Sequence, residues 1–228
     1  MNIVDQYKCD VVDFGVEYAK DNMTHNNVES TEIKVFEEKE ILRNYLIRGQ
    51  TEHAPFSVCR KIYHSELFKN VSFPFGRINE DIATNYKLLE KSKRMVTTTK
   101  IGYYYFQQSE SITRNGLRIQ DFDLLYACDE LYRLTEDEPY KDIKYLVRVK
   151  QARSYFSLLA KVAYYGVEDE RLDEKKVVLE LTTKLRSNYL FLMKSPVPIN
   201  RKIMITLICV NLSLLKVPLN LYTRIKRI

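Results

Sequence analysis

Residues 73–89 read FPFGRINEDIATNYKLL and place a turn directly before a helix. The proline and the glycine near the start indicate a loop, and Asn79 is a residue type that often caps a helix amino terminus. Glu80 and Asp81 then fall in the first helical turn, where the helix dipole favours negative charge. The apolar residues that follow recur at helical spacing and predict a buried helix face, formed by Ile82, Tyr86 and Leu89. Alone, the stretch predicts a capped amphipathic helix with an acidic amino end.

Two flanking segments extend this pattern. Residues 59–68 read CRKIYHSELF, and residues 101–112 read IGYYYFQQSESI. Taken in order with the Phe-Pro-x-Gly-x-x-x-Glu-Asp stretch between them, they resemble the second half of a family 2 glycosyltransferase with the GT-A fold. Enzymes of this kind build bacterial capsule or cell-wall polysaccharides. The resemblance runs from about residue 8 to about residue 115.

The resemblance implies a role for each acidic residue of the central stretch. In that family the aspartate of the Glu-Asp pair is the general base, a role that falls here on Asp81, with Glu80 beside it. A carboxylate within reach of an acceptor-sugar hydroxyl takes its proton, and the oxygen attacks the anomeric carbon with inversion. The same resemblance implies a set of substrate-binding residues, which are Lys61, Tyr63, Tyr105, Gln108 and Ser111.

The aromatic run has a second interpretation, and the sequence departs from the family pattern in two places. Tyr103 to Tyr105 are also typical of a buried strand, because aromatic residues favour strands. Cys59 stands where relatives often carry tryptophan, and Phe106 and Gln108 stand where they often carry arginine. A guanidinium group holds phosphate oxygens bidentately and a neutral amide does not, which weakens the phosphate contact expected in this loop.

The resemblance also implies a nucleotide-binding half that would precede this chain. That half carries an Asp-x-Asp for a divalent metal, Mg²⁺ or Mn²⁺, on the diphosphate. The chain begins just after the point where the motif would stand. Its Asp-x-Asp, Asp121-Phe122-Asp123, lies in a predicted helix with no apolar strand before it, so we predict no metal site there. A split gene with a separate amino-terminal half, a degenerate fragment and a non-catalytic binding module are the open explanations.

Positive charge is concentrated at the carboxyl end. The net charge is +6, yet no acid follows Glu180 while nine bases do. Residues 203–215 are mostly apolar but too short to cross a bilayer, which takes about 20 residues. Apolar residues flanked by bases are typical of a segment in an anionic membrane surface. The alternative is a terminal helix packed on the domain with its bases solvated. Since the bases do not line a polar groove, nucleic-acid binding is not predicted.

Cysteines and histidines point to no further site. The four cysteines and three histidines are scattered, so neither a zinc site nor a disulfide framework is predicted. Unpaired cysteines fit a reducing cytoplasm. Residues 1–18 have no basic region followed by an apolar run, and no signal peptide is predicted.

Residue periodicity predicts a fold of the α/β class that leans to α. Strands are expected within residues 9–18 and 95–106, and an amphipathic helix over residues 32–48. Helical patterns then cover residues 119–135, 140–165 and 173–194. The predicted organisation is a partial GT-A sheet in residues 1–116, a helical region in residues 117–194, and a basic apolar tail at the membrane surface in residues 195–228.

The function expected from the resemblance is inverting transfer of a sugar from a nucleotide sugar to a polysaccharide or lipid-linked acceptor. The expected location is the cytoplasmic side of the cell membrane, with the protein peripheral on its inner face. Expected partners are the nucleotide sugar, the glycan acceptor, an anionic membrane surface and a separate amino-terminal half. The alternative is a membrane-associated binding module without activity, or a degenerate glycosyltransferase fragment.

Overall fold

The computed structural model describes residues 2–19, 31–51, 56–106 and 115–215. The chain forms two compact units, one from residues 1–75 and 80–111 and the other from residues 76–79 and 112–228. The elements in chain order are α1 (Asn2–Tyr7), β1 (Val11–Ala19), β2 (Ile33–Glu37), α2 (Lys39–Thr51), β3 (Lys61–Tyr63), α3 (Asp81–Glu90), β4 (Arg94–Phe106), α4 (Asp123–Leu134), α5 (Lys141–Tyr165), α6 (Glu174–Ser187), α7 (Tyr189–Lys194) and α8 (Ile199–Val210). Short 3₁₀ turns cover Ser65–Phe68 and Ile119–Phe122.

The first unit is built on a mixed sheet whose described strands have the order β2-β4-β1-β3. β1 runs parallel to β4, whereas β2 and β3 are antiparallel to their neighbours. Helices α2 and α3 contact the same face of the sheet. Arg48 of α2 donates a hydrogen bond to Asp13 of β1, and Asn85 of α3 accepts one from Tyr63 of β3. Residues of α1 pack on the other face, against a small cluster of Cys9, Val12 and Val96.

A strand replaces the first part of the helix predicted over residues 32–48. Ile33 and Val35 are β-branched, and the segment pairs with β4 as strand β2. Glu38 then takes a positive φ of 48°, which lies outside the helical region, and α2 begins at Lys39. The prediction was wrong here because pairing with a neighbouring strand outweighed the helical spacing.

The second unit is helical. The patterns predicted over residues 119–135 and 140–165 correspond to α4 and α5, and the pattern over residues 173–194 corresponds to α6 and α7. Helix α5 supplies the middle of the core and is buried along much of its length. Fully buried members of this core include Leu117, Val149, Leu159, Leu185 and Leu192.

The described part of the predicted tail belongs to this core. Five apolar side chains of this tail are buried together with side chains of α5 and α6. They are those of Val197, Ile205, Ile208, Leu212 and Leu215. The packed terminal helix, which the sequence left as the alternative, is therefore the structure of residues 195–215. Residue 195 does not begin a separate unit, and residues 216–228 lie outside the described residues.

The fold class predicted from the sequence is confirmed. The structure is 57% helical with a small four-stranded mixed sheet, so it is of the α/β class leaning to α. None of the helices within the described ranges combines the length and the apolar content that spanning a bilayer requires.

Candidate functional site

A row of polar residues crosses all four described strands of the sheet. The register pairs Lys34 of β2 with Thr97 of β4, Thr97 with Asp13 of β1, and Asp13 with Lys61 of β3. Because side chains alternate along each strand, the four members of this polar row share one face. The row lies near the amino ends of the parallel strands β1 and β4, since Asp13 is the third residue of β1 and Thr97 the fourth residue of β4.

Asp13 is the centre of the polar row and is almost fully buried, with 2% of its side chain exposed. One carboxylate oxygen accepts a hydrogen bond from Arg48 of α2 at 2.6 Å. The other accepts one from Nε of Arg60 at 2.5 Å. One buried negative charge thus lies between two positive charges.

Lys61 stands next to Asp13 in the polar row and is also buried. Its ammonium group donates a hydrogen bond to the backbone carbonyl of Ser57 at 2.6 Å. The pKa of Lys61 is lowered to about 8, and burial is the largest cause. The charges of Arg60 and Arg48 also lower this pKa, whereas the charges of Asp13 and Asp81 raise it. Lys61 is therefore a cation at neutral pH with a lower proton affinity than an ordinary lysine.

Tyr63, two residues along β3, is fixed by a buried amide. Its hydroxyl donates to Oδ1 of Asn85 at 2.8 Å, and Nδ2 of Asn85 donates to the carbonyl of Phe56 at 3.0 Å. Burial raises the pKa of Tyr63, and the negative charges of Asp13 and Asp81 raise it further. Tyr63 therefore remains neutral and is a hydrogen-bonding and positioning group.

Asp81 is the first residue of α3 and is partly buried. Its charge acts on the pKa values of both Lys61 and Tyr63, so Asp81 lies within electrostatic range of the β3 end of the polar row. The predicted cap at Asn79 is wrong, because Asn79 has a left-handed φ of 61° and the capping position is Glu80. Glu80 makes no side-chain capping bond, so the turn is shaped by the backbone and not by an Asn79 side chain.

Two of the residues that the resemblance implied, Lys61 and Tyr63, lie on strand β3. The charge of Asp81 acts on the pKa values of both, and Glu80 immediately precedes Asp81. Tyr105 lies on β4 and makes an edge-to-face contact with Tyr18, at a centroid distance of 5.6 Å. The other two implied residues, Gln108 and Ser111, lie outside the described residues.

The aromatic run at Tyr103 to Tyr105 forms a strand, but its side chains are not core. Tyr104 and Tyr105 are exposed, and Tyr103 is partly exposed near Cys59, whose side chain is one cause of a raised Tyr103 pKa. The interpretation of this run as a buried strand was therefore right about the strand and wrong about the burial.

The residues that the sequence did not single out are Asp13, Arg48, Arg60 and Asn85. A charged residue inside the apolar run Val11-Val12-Asp13-Phe14 was the available signal, because a carboxylate on a buried strand requires a partner. The partners themselves are 35 and 47 residues away along the chain. No local spacing connects them to Asp13.

The Asp-x-Asp of this chain does not fit a metal site. Asp121 accepts hydrogen bonds from Nζ of Lys161 at 2.6 Å and from the backbone of Arg118 at 2.8 Å. Asp123 is paired with Arg77 at 2.7 Å. Each carboxylate is thus bound to a different cation. Over the described ranges, no group of three or more candidate metal ligands comes together.

Comparison with known proteins adds no relative. No protein-family model matches this chain, and no curated protein sequence matches it. The resemblance to family 2 glycosyltransferases therefore rests on the three spaced segments of the sequence alone.

Proposed function

We propose that the first unit forms the acceptor-binding side of an inverting glycosyltransferase, with Asp81 as the general base. The observation that supports this most directly is that the charge of Asp81, at the start of α3, acts on Lys61 and Tyr63, which the same resemblance implied. Asp81 is partly buried at the amino terminus of α3, where the helix dipole favours a negative charge.

The proposed reaction is a single displacement. The Asp81 carboxylate takes the proton of an acceptor-sugar hydroxyl while that oxygen forms a bond to the anomeric carbon of the donor sugar. The bond from the anomeric carbon to the nucleotide diphosphate breaks, and the diphosphate leaves with the bonding electrons. Lys61 supplies a cation beside Asp81, and Tyr63 keeps the β3 backbone and α3 in register through Asn85.

The nucleotide sugar is assigned to a separate amino-terminal half in this proposal. That half would carry the Asp-x-Asp and its Mg²⁺ or Mn²⁺, because Asp121 and Asp123 are bound to cations within the second unit. The test combines this chain with the polypeptide encoded immediately upstream, divalent metal and a panel of nucleotide sugars. Release of nucleoside diphosphate that depends on a glycan acceptor is the expected result.

The decisive variant is Asp81→Asn, which removes the base and keeps the size of the side chain. Loss of a general base lowers the rate by about 100-fold or more. Glu90→Gln is the matched control, because Glu90 is an exposed acid at the opposite end of α3. Equal rates for Asp81→Asn and the parent protein would exclude Asp81 as the base. Glycan binding without transfer by any mixture would favour the non-catalytic module.

We also propose that the protein is peripheral on the inner face of the membrane. Ile199, Ile203 and Val210 are exposed, and their spacing places them on one stripe of α8. This exposed α8 stripe lies in the part of the chain that carries bases and no acids. Such an arrangement suits insertion among anionic headgroups.

The membrane proposal is tested by sedimentation with phosphatidylglycerol vesicles. Ile203→Glu is expected to weaken vesicle binding, since it places a negative charge on the exposed stripe. Val35→Glu is the matched control, because Val35 is an exposed apolar residue of β2 in the first unit. Deleting residues 216–228 removes further bases while leaving the buried side chains of α8 in place. Unchanged binding of both Ile203→Glu and the deletion would exclude this end of the chain as the anchor.

A further inference from the structure

A groove of about 580 Å³ lies between α6 and the carboxyl end of α8, within the second unit. Its volume falls in the range of small-molecule sites, which span about 300–1,000 Å³. One wall is a stripe of α6 on which Lys175, Leu179, Thr182 and Arg186 follow one another at intervals of three or four residues. Residues within 208–213 form the opposite wall, and we call this space the α6–α8 groove.

Hydrogen bonds from Arg186 connect the two walls. Its Nε donates to the carbonyl oxygen of Cys209 at 2.7 Å, and its Nη2 donates to that of Val210 at 3.4 Å. These carbonyls belong to the last turn of α8, where backbone oxygens have no partner inside the helix. Asn211 then leaves the helical conformation, with φ −160° and ψ 127°, and the chain continues along the groove. The groove is therefore built from contacts that the fold itself provides.

Apolar side chains on both walls of the α6–α8 groove are open to solvent. Leu179 on the α6 wall is 65% exposed, and Val210 on the opposite wall is 66% exposed. The groove is also lined by Ile208 and Leu212, which are buried members of the core. Single exposed apolar residues are common on protein surfaces and require no explanation. A concave surface that joins several of them to the core favours an apolar ligand.

The basic groups of the groove favour an anionic end on that ligand. Lys175 and Arg186 lie toward the two ends of the α6 wall, and Glu174 is the acid among the described residues that line the groove. Arg186 is exposed, and within the described ranges no carboxylate forms an ion pair with it. Val210 belongs to the exposed α8 stripe as well, so the groove adjoins the surface that we propose to face the membrane.

We propose that the α6–α8 groove binds one acyl chain of an anionic phospholipid. The acyl chain contacts Leu179, Ile208 and Leu212, and the phosphate group lies at the Arg186 end of the groove. The choice of a lipid rests on the proposed membrane location, because the groove and the α8 stripe share Val210. Burial of the apolar chain supplies most of the affinity, whereas the guanidinium group selects an anionic headgroup.

Binding is measured by isothermal titration calorimetry with the full chain and dihexanoyl phosphatidylglycerol, kept below its critical micelle concentration. No vesicle is present, so the result does not depend on membrane attachment. Saturable binding of this lipid is the expected result. Glycerophosphoglycerol, which is the same headgroup without acyl chains, is expected not to bind. Dihexanoyl phosphatidylcholine, which has no net charge, is expected to bind about fivefold more weakly than phosphatidylglycerol.

Leu179→Glu and Leu190→Glu form a matched pair. Both leucines are exposed on helices of the second unit, at 65% and 72%, but Leu190 does not line the groove. A carboxylate in the apolar part of the groove is expected to weaken phosphatidylglycerol binding about tenfold or more, whereas Leu190→Glu is expected to leave it unchanged. Equal unfolding temperatures of the two variants separate a loss of binding from a loss of folding. Equal lipid affinities of the two variants would overturn the proposal.

Arg186→Gln and Lys184→Gln test the headgroup contact. Glutamine can still donate hydrogen bonds to the α8 carbonyls, but it carries no charge. Arg186→Gln is expected to remove the preference for phosphatidylglycerol and to leave phosphatidylcholine binding unchanged. Lys184 is an exposed base of α6 that does not line the groove, so Lys184→Gln is expected to keep the preference. An equal loss for both lipids would mean that Arg186 only holds α8, and would overturn its assignment to the phosphate.

The remaining outcomes separate the lipid from other occupants of the groove. Absence of monomeric lipid binding would overturn the inference even if vesicles bound through the α8 stripe. Lipid binding without vesicle binding would support the inference and refute the membrane proposal alone. A dimer that Leu179→Glu dissociates, with no lipid bound, would assign the groove to a second copy of this chain. Lipid binding only after deletion of residues 216–228 would assign it to that segment, and either of these results would overturn the proposal.

Discussion

Replacing Asp13 with asparagine measures how strongly one buried carboxylate stabilises the first unit. Asparagine keeps the size of the side chain and removes the charge that Arg48 and Arg60 share at 2.6 Å and 2.5 Å. Removing one partner of a buried ion pair costs about 3–5 kcal/mol, because the remaining charge stays buried without a counter-ion. Arg60 is 9% exposed and cannot reach water easily, whereas Arg48 is 20% exposed and can. The free energy of unfolding is therefore expected to fall by about 3 kcal/mol, at the lower end of that range.

The assay is urea unfolding followed by far-ultraviolet circular dichroism and by tyrosine fluorescence, since the chain has no tryptophan. Because the chain has two compact units, the loss of stability is expected only in the transition that belongs to the first unit. Glu37→Gln is the control, because it breaks an ion pair with Arg94 in the same sheet that is largely exposed. An exposed pair contributes at most about 1 kcal/mol. A loss of stability for Asp13→Asn that does not exceed the Glu37→Gln value would show that the buried cluster does not hold this unit together.

Three further predictions concern the surroundings of the polar row. Burial lowers the pKa of Lys61 to about 8. Between pH 8 and about 10 the unfolded chain therefore holds a proton on Lys61 that the folded chain lacks, so the contribution of Lys61 to the free energy of unfolding rises with pH. The Lys61→Met variant is therefore expected to be more stable than the parent protein at pH 7. In urea unfolding, the difference between their free energies of unfolding is expected to shrink toward pH 10. A difference that stays constant with pH would contradict the lowered pKa. Tyr63→Phe leaves Oδ1 of Asn85 without its donor and is expected to lower the free energy of unfolding by about 1–2 kcal/mol. Gly49→Ala would place a Cβ atom 2.1 Å from Cζ of Phe56 and is expected to lower the free energy of unfolding by about 1–3 kcal/mol. An unfolding temperature equal to that of the parent protein would show that the Phe56 ring moves freely.

Local patterns predicted the helices of this protein well. The helical spacing of apolar residues located α3, α4 and α5, because an α-helix is formed by hydrogen bonds between residues four positions apart. The same spacing failed at residues 33–37, where pairing with β4 decides the conformation. Strand pairing depends on a segment 60 or so residues later in the sequence, which local periodicity does not contain.

Sequence reasoning likewise found one part of the candidate site and missed another. Asp81 was accessible to sequence reasoning because it falls in the first turn of a helix that the local spacing of residues predicts. Asp13 was not, because its environment is formed by Arg48 and Arg60, which adjacent residues do not reveal. The exposure of Tyr104 and Tyr105 was equally hidden, since an aromatic strand has the same residue pattern whether or not a helix covers it.

Residue order was thus sufficient for the α/β class, for the helices after residue 118 and for the carboxylate at the start of α3. Those features depend on contacts between residues a few positions apart, whose geometry the chain imposes directly. The polar row and the two arginines that bind Asp13 come together only when four strands align in register and α2 folds over them. The packing of residues 199–215 also required the folded core, because a basic apolar helix has the same sequence pattern on a membrane surface as on a protein.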